Sequence, residues 1–243
     1  MTGLRSVRDD TDERSGDGVI TVHPVPALPR KQGIEGWHFY LSISETDKLS
    51  RDVSRIYRSI DRKTDRLQRA TSLYCPEGCG TCCKTTNIEA TLLETLPLAE
   101  AIFNREEEAS VLRAIEERIS RDDFSCVLFG RPAAPPNGWC GYYPFRPLLC
   151  RLFGFAARKN RCDELDFCTC GRLKETAPDG VRRAELSISM GLRIPVYQES
   201  FMRIAAMNPA IGFKRYPINL AIKEALEYLY WRRPRRVRMS KAS

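Results

Sequence analysis

Ten cysteines in a chain of 243 residues, beside only two histidines, are the side chains best suited to chemistry. Four thiols lie within the nine residues CPEGCGTCC at 75–83, and the Cys79-x-x-Cys82 spacing is typical of zinc and iron–sulfur ligands. The side chains of the adjacent Cys82 and Cys83 diverge on a helix or a strand, so a single ion cannot easily use both. A polynuclear cluster or two metals could use them separately. The alternative is that one of the pair is a small buried apolar residue.

Six further cysteines form a middle group (Cys126, Cys140 and Cys150) and a late group (Cys162, Cys168 and Cys170). Their separations exceed those of a local chelating motif, so they can join the first cluster only if the fold brings them to it. We expect one late cysteine, Cys168, to do so, with Cys162 and Cys170 as alternatives. The predicted metal ligands are therefore Cys75, Cys79, Cys82, Cys83, Cys126, Cys140, Cys150 and Cys168.

Three cationic residues flank these thiols: Lys84, Arg146 and Arg151. Four thiolates around a divalent metal leave a net charge of about −2, and nearby cations lower the cost of burying that charge. We therefore expect these three side chains to surround the metal ligands without binding the metal themselves.

The spacing of the cysteines resembles that of a bacterial protein family. Cys79-x-x-Cys82-Cys83 is followed by Cys126 and then by the run CGYYPFRPLLCRLF at 140–153. Over about residues 75–170 the chain is similar to the YkgJ-type cysteine-cluster family, whose pattern is CxxCxxCC, a further cysteine and CxxYxxRPxxCR. Three residues separate Cys75 from Cys79, where the family commonly has two. The resemblance implies a zinc- or iron-chelating domain and carries no reaction with it.

The shortage of histidine favours an iron–sulfur cluster, of the [4Fe–4S] kind, over zinc, because zinc sites commonly mix histidine with cysteine. An enzyme is an alternative, since Cys75-x-x-x-Cys79-x-x-Cys82 has the CxxxCxxC spacing of radical-SAM proteins. The family also resembles part of flagellin lysine N-methylases, which makes protein methyl transfer conceivable. A structural zinc module that binds nucleic acid or a protein is the third interpretation. The catalytic residues and the partners stay unknown.

The elements that position the cysteines are mainly helical. Apolar residues recur with helical spacing over 45–70, 89–104, 105–121, 196–207 and 219–231, whereas alternation over 37–43 indicates a small β element, followed by Ser44 as a helix N-cap. Residues 122–180 have weak periodicity. We therefore predict a mainly α domain over 37–230, with its core motif at 75–170 in a loop-rich segment, a flexible N-terminal tail over 1–36 and a basic C-terminal tail over 231–243.

The formal net charge of +8 suggests an anionic partner, such as nucleic acid or an acidic protein. The basic tail carries five arginines and one lysine without an acidic residue. The helix at 45–70 carries a second basic array, but Asp52, Asp61 and Asp65 are interleaved with its arginines and predict a solvated, salt-bridged face. This array consists of Arg51, Arg55, Arg58, Arg62, Arg66 and Arg69.

No apolar run approaches the roughly 20 residues that a membrane-spanning helix needs, and the N-terminus lacks the apolar segment of a secretion signal. The sequence therefore predicts a cytoplasmic protein, in which thiols stay reduced and a disulfide framework is disfavoured. Both histidines, His23 and His38, precede the cysteine segment, which gives little support to a hydrolytic pair of nucleophile and histidine.

Overall fold

The computed structural model describes residues 43–76, 78–85, 88–130 and 140–232. Helices account for 63% of the described residues, which confirms the predicted mainly α class. The α-helices of the described ranges are α1 (Ile43–Thr71), α2 (Thr81–Lys84), α3 (Leu92–Asn104), α4 (Glu108–Ser120), α5 (Leu148–Leu152), α6 (Gly171–Thr176), α7 (Pro178–Ser189), α8 (Tyr197–Ala205), α9 (Pro209–Gly212) and α10 (Ile218–Arg232).

Four short strands form two antiparallel sheets of two strands each. The strand β1 (Glu89–Thr91) pairs with β4 (Arg215–Pro217), and β2 (Ala156–Lys159) pairs with β3 (Leu165–Cys168). These strands lie in the middle and towards the end of the described chain, so the prediction that β structure is confined to the N-terminal region is wrong.

The predicted strand at 37–43 largely lies outside the described residues, because only its last residue, Ile43, falls within them. Ile43 already begins α1, so Ser44, the predicted N-cap, lies inside the first turn of the helix. The helical pattern therefore starts earlier than the capping residues indicated.

Helical periodicity places the long helices correctly, while shorter ones arise where no period is visible. The structure confirms helices near 45–70, 105–121, 196–207 and 219–231, and β1 occupies the beginning of the helix predicted at 89–104. The helix α7 was not predicted. It begins at Pro178, whose fixed φ suits a first helical position, and it buries Val181 and Ala184.

The main core joins α1, α3 and α10. Val53 and Ile56 of α1 pack in the same buried cluster as Leu93 and Leu96 of α3 and Ile222 of α10. Burying each such side chain contributes roughly 1.5–3 kcal/mol. The cluster also includes Cys83 and Cys126, so the cysteine segment is built onto this core.

The predicted tails remain predictions, since residues 1–42 and 233–243 lie outside the described ranges, and α10 extends through Trp231 and Arg232. Among the described helices, none combines the length and the apolar character that crossing a membrane requires.

Candidate metal centre

The first cysteine cluster is shaped by a tight turn and the single-turn helix α2. The backbone N–H of Cys79 donates to the carbonyl of Pro76 at 3.1 Å, and that of Cys83 donates to the carbonyl of Gly80 at 2.9 Å. Gly80 precedes α2, and the ring of Phe129 lies where a Cβ atom at this position would point, with Cζ 2.6 Å away. A glycine is needed here because the ring packs directly against the backbone.

Cys126 is held against this cluster and against the core. Its N–H donates to the carbonyl of Cys83 at 2.7 Å. Asn219 of α10 fixes both neighbours: its Oδ1 accepts from the N–H of Val127 and its Nδ2 donates to the carbonyl of Ser125, each at 2.9 Å. No local pattern in the sequence indicates the role of this buried asparagine, because the contact spans more than 90 residues.

Cys140 and Cys150 reach the same place from a third segment. Cys140 pairs with Phe129 in an isolated antiparallel bridge, which joins it to the chain that follows Cys126. Pro147 precedes α5, and the N–H of Arg151 donates to its carbonyl at 3.1 Å. This short helix carries Cys150.

The three segments enclose a cavity of about 210 Å³. All ten cysteines lie in the described ranges and none forms a disulfide bond. Two of the late cysteines do not reach the cavity: Cys162 is exposed, and Cys168 lines an adjoining open cleft, with its thiol 3.5 Å from the carbonyl of Asp166. The cysteines that line the cavity are Cys75, Cys79, Cys82, Cys83, Cys126, Cys140, Cys150 and Cys170.

Seven of the eight predicted ligands therefore line one cavity, and Cys170 occupies it in place of Cys168. Sequence spacing could not separate these two, since they lie two residues apart on a strand end. The chain turns into α6 after Cys170, and Gly154 (φ +86°) lies beside this turn, where an added Cβ would lie 3.0 Å from Cδ1 of Leu173 and in ordinary contact with the Cys170 sulfur.

The thiols that line the cavity form one connected group, in which Cys82 raises the pKa of Cys140 and Cys150, and this group can be divided into a part around Cys75 and a part around Cys83. The first part surrounds Cys75, whose pKa burial raises to about 12, with the thiols of Cys79, Cys170 and Cys82 adding to the rise. We call these four the first thiol set.

The second thiol set surrounds Cys83. The hydrogen bond shared with the Cys126 thiol raises the pKa of Cys83 to about 12, and the nearby Cys140 adds to it. Burial raises the pKa of Cys150 well above its ordinary value, and the thiols of Cys82, Cys83 and Cys140 contribute. The second thiol set consists of Cys83, Cys126, Cys140 and Cys150.

The consecutive cysteines of α2 connect the two sets. A hydrogen bond between the Cys82 and Cys83 thiols, together with burial, raises the pKa of Cys82 well above its ordinary value. The thiols with raised pKa are neutral at pH 7, so a metal must displace their protons as it binds. Within the described ranges, no three or more histidine, cysteine, aspartate or glutamate side chains are already arranged to hold one metal ion.

Of the predicted cations, Arg146 is the one that acts on the thiols. It lines the cavity, its guanidinium stacks 3.4 Å from the ring centroid of Tyr143, and its charge lowers the pKa of Cys75, Cys82, Cys140 and Cys150 against the raising effect of burial. A fixed positive charge beside the thiols favours their thiolate forms.

The other two cations have different positions. Arg151 also lines the cavity, but its guanidinium binds Asp61 and the carbonyl of Arg146. Lys84 is exposed, lies 5.1 Å from the ring centroid of Phe129 and does not line the cavity.

The donor atoms on the cavity wall suit a metal that prefers sulfur. Eight thiols face two carboxylates, those of Asp61 and Asp65, and no histidine lines the cavity among the described residues. Thr64 also lines it, and its buried hydroxyl has no hydrogen-bond partner in the described chain. Thiolates bind zinc, iron and iron–sulfur clusters, so these residues fit such a group.

Comparison with known proteins agrees with this assignment. Residues 74–170 match the family model described as CxxCxxCC: Putative zinc- or iron-chelating domain. No curated protein and no solved structure matches the chain. The matched segment contains all ten cysteines, and therefore both thiol sets. The match of residues 74–170 to this family model confirms the resemblance that the spacing of the cysteines predicted.

Proposed function

We propose that the cavity binds iron as an iron–sulfur cluster, of the [4Fe–4S] kind, through cysteine thiolates. The observation that carries this proposal is that eight thiols from four separate chain segments line one cavity. Ordinary packing gives no reason to concentrate eight of ten cysteines in one place. When bound, such a cluster supplies a site for electron transfer or for activation of a ligand.

The two thiol sets support binding at two adjacent places. Each set has four sulfur atoms, the number that a [4Fe–4S] cluster or a Cys₄ zinc site requires. Cys82 belongs to the first set and Cys83 to the second, which would let these adjacent residues bind different metal atoms. A single zinc ion lies about 2.3 Å from each sulfur and needs little additional space, whereas the cavity measures about 210 Å³.

Arg146 would offset part of the negative charge of the bound cluster. Its guanidinium is held against Tyr143 and donates from Nε to the carbonyl of Tyr143 at 2.9 Å. This anchoring keeps a positive charge beside the thiols without using it in an ion pair among the described residues.

The first experiment is anaerobic purification followed by iron, zinc and sulfide analysis and a visible absorption spectrum. The proposal predicts a brown protein that contains iron and acid-labile sulfide in equal amounts. A colourless protein with stoichiometric zinc and no sulfide would contradict it and leave a zinc-binding domain.

Single serine substitutions then test the ligand sets. Cys79→Ser in the first set and Cys140→Ser in the second should each remove about half of the bound metal if the sets bind separately. Cys162→Ser is the matched control, because that thiol is exposed and lies outside the cavity wall. Complete metal loss in both variants would mean that the two sets bind the metal together at one shared site.

The same series distinguishes the two late cysteines of the cavity region. Cys170→Ser should lower metal content like Cys79→Ser, whereas Cys168→Ser should behave like the Cys162→Ser control. The reverse pattern would restore Cys168 as the ligand that the sequence suggested.

A further inference from the structure

The solvent face of α1 carries an uninterrupted stripe of arginines. At 100° per residue its six members fall within an arc of about 80°, and they extend over about 27 Å of helix. All six are exposed. The arginine stripe consists of Arg51, Arg55, Arg58, Arg62, Arg66 and Arg69.

The aspartates that the sequence assigned to this face neutralise little of it. Asp52 pairs with Arg55 at 2.6 Å. Asp61 turns towards the cysteine segment and binds Arg151, and Asp65 lines the thiol cavity. Within the described residues, Arg55 is thus the one member of the stripe that forms an ion pair, and the prediction of a salt-bridged face is wrong for the other five.

This arrangement costs the isolated helix some stability. Consecutive members of the stripe are three or four residues apart, where like charges on a helix repel each other. The opposite face of α1 compensates, because Val53, Ile56, Ile60 and Leu67 are buried. An external row of negative charges would remove the repulsion, whereas water and salt only screen it.

We propose that the arginine stripe binds the phosphodiester backbone of nucleic acid. A straight row of guanidinium groups fits a linear, regularly spaced polyanion, and each group can donate two parallel hydrogen bonds to a phosphate. The stripe has no apolar side chain among its members with which to enter a lipid bilayer. Contacts to phosphates position a protein but carry no sequence information, so binding through a row of phosphates is independent of sequence.

This inference goes beyond metal binding, since none of the six arginines lines the thiol cavity. The test uses the full-length, metal-loaded chain and fluorescence anisotropy with labelled duplex DNA and, separately, labelled single-stranded RNA. Binding is measured from about 50 to about 200 mM salt, and the slope of log K against log salt concentration reports the number of phosphate contacts.

The stripe variant is Arg58→Gln/Arg62→Gln/Arg66→Gln. The control is Arg113→Gln/Arg161→Gln/Arg203→Gln, which removes the same charge from exposed arginines elsewhere that form no ion pair in the described chain. The stripe variant should reduce the magnitude of the salt slope by about 3, because each lost phosphate contact removes about 0.9. The control should keep the slope of the unaltered chain, and circular dichroism should show equal helix content in both variants.

Three results would overturn the proposal. They are absence of binding to either nucleic acid at about 50 mM salt, an equal loss of slope in the control variant, and equally strong, stripe-dependent binding to vesicles that contain anionic lipid. The first result would mean that the stripe does not bind nucleic acid, and the second that binding depends only on the net charge of the chain. The third would mean that the stripe binds a membrane surface. Binding to one of the two nucleic acids alone would support the proposal and identify the polymer.

Discussion

Arg151 and Asp61 form an ion pair between α5 and α1, across 90 residues of sequence. Nη1 of Arg151 lies 2.8 and 2.7 Å from the two carboxylate oxygens of Asp61. The arginine side chain is 4% exposed and the aspartate 42%. The same guanidinium donates to the carbonyls of Arg146 and Pro144, so one side chain ties the loop before Cys150 to the longest helix.

Replacing Arg151 by lysine should therefore destabilise the domain by about 2–4 kcal/mol. A lysine keeps the charge but cannot donate in the three directions that the planar guanidinium serves. Chemical denaturation of the Arg151→Lys variant measures this loss. Arg158→Lys is the control, because Arg158 is exposed and lies 3.7 Å from a half-exposed Asp166, where a change within about 0.5 kcal/mol is expected. Equal stability of both variants would show that the geometry of Arg151 is unimportant.

Alanine at Gly80 should weaken both the fold and metal retention. The added Cβ would overlap the ring of Phe129, which must move, and Phe129 pairs with Cys140 in the second thiol set. We expect a loss of about 1–3 kcal/mol in the free energy of unfolding and a lower metal content after dialysis.

Gly171→Ala is the matched control, because nothing lies within 4 Å of its added Cβ at the beginning of α6. It should leave stability unchanged or raise it slightly, since alanine favours helix. A Gly80→Ala variant that behaves like this control would mean that the Phe129 ring can relax freely.

Glu94 should make the stability of the domain depend on pH. Burial raises its pKa from 4.5 to about 7, although Oε2 accepts from the N–H of Thr91 at 2.7 Å in the capping box of α3. Between pH 4.5 and 7 the unfolded chain has lost this proton while the folded chain retains it. The free energy of unfolding therefore decreases as the pH rises through this window, by up to about 3 kcal/mol.

The Glu94→Gln variant isolates this effect, because glutamine can keep the capping hydrogen bond without a titrating proton. Its free energy of unfolding, measured relative to the unaltered chain, should increase as the pH rises from 4.5 to 7 and then level off. A difference that stays constant with pH would rule out a raised pKa for this carboxyl group.

Removal of metal should loosen the cysteine segment more than the helical core. The described residues of the segments at 75–84 and 126–150, which exclude 77 and 131–139, form few regular backbone ladders, whereas α3 and α10 bury Leu93, Leu96, Ile222 and Leu226. We expect hydrogen exchange to accelerate in the cysteine segment after chelation, with α3 and α10 still protected. Equal acceleration in all of these regions would mean that the domain unfolds as a whole, and no acceleration would mean that the metal does not stabilise the segment.

Local sequence patterns were sufficient to predict the long helices and most of the cysteines that line the cavity. The spacing of Cys79, Cys82 and Cys83 predicted three of the cysteines that line the cavity, and the helical stripe of Val53, Ile56 and Ile60 predicted the buried face of α1. These features depend on neighbours within one or two helical turns, which a sequence displays directly.

What the sequence could not reveal depends on contacts between distant segments. The interleaving of Asp61 with the arginines of α1 indicated local salt bridges, but Arg151 binds this aspartate instead. Of the three cations predicted to surround the thiols, Arg146 lowers the pKa of Cys75, whereas Arg151 pairs with Asp61. The choice of Cys170 over Cys168 depends on how the chain turns after β3, and Asn219 became visible as a support of Cys126 only in the fold.

The helix α1 has three distinct faces. One is buried in the core, one carries Asp61 and Asp65 at the thiol cavity, and one carries the arginine stripe. A helix moves largely as a rigid body, so a ligand that displaces the outer side also displaces Asp61, and with it Arg151 and the short helix of Cys150. Coupling between two binding sites is reciprocal. If a bound metal changes the affinity of the arginine stripe for its ligand by some factor, that ligand must change the affinity for metal by the same factor.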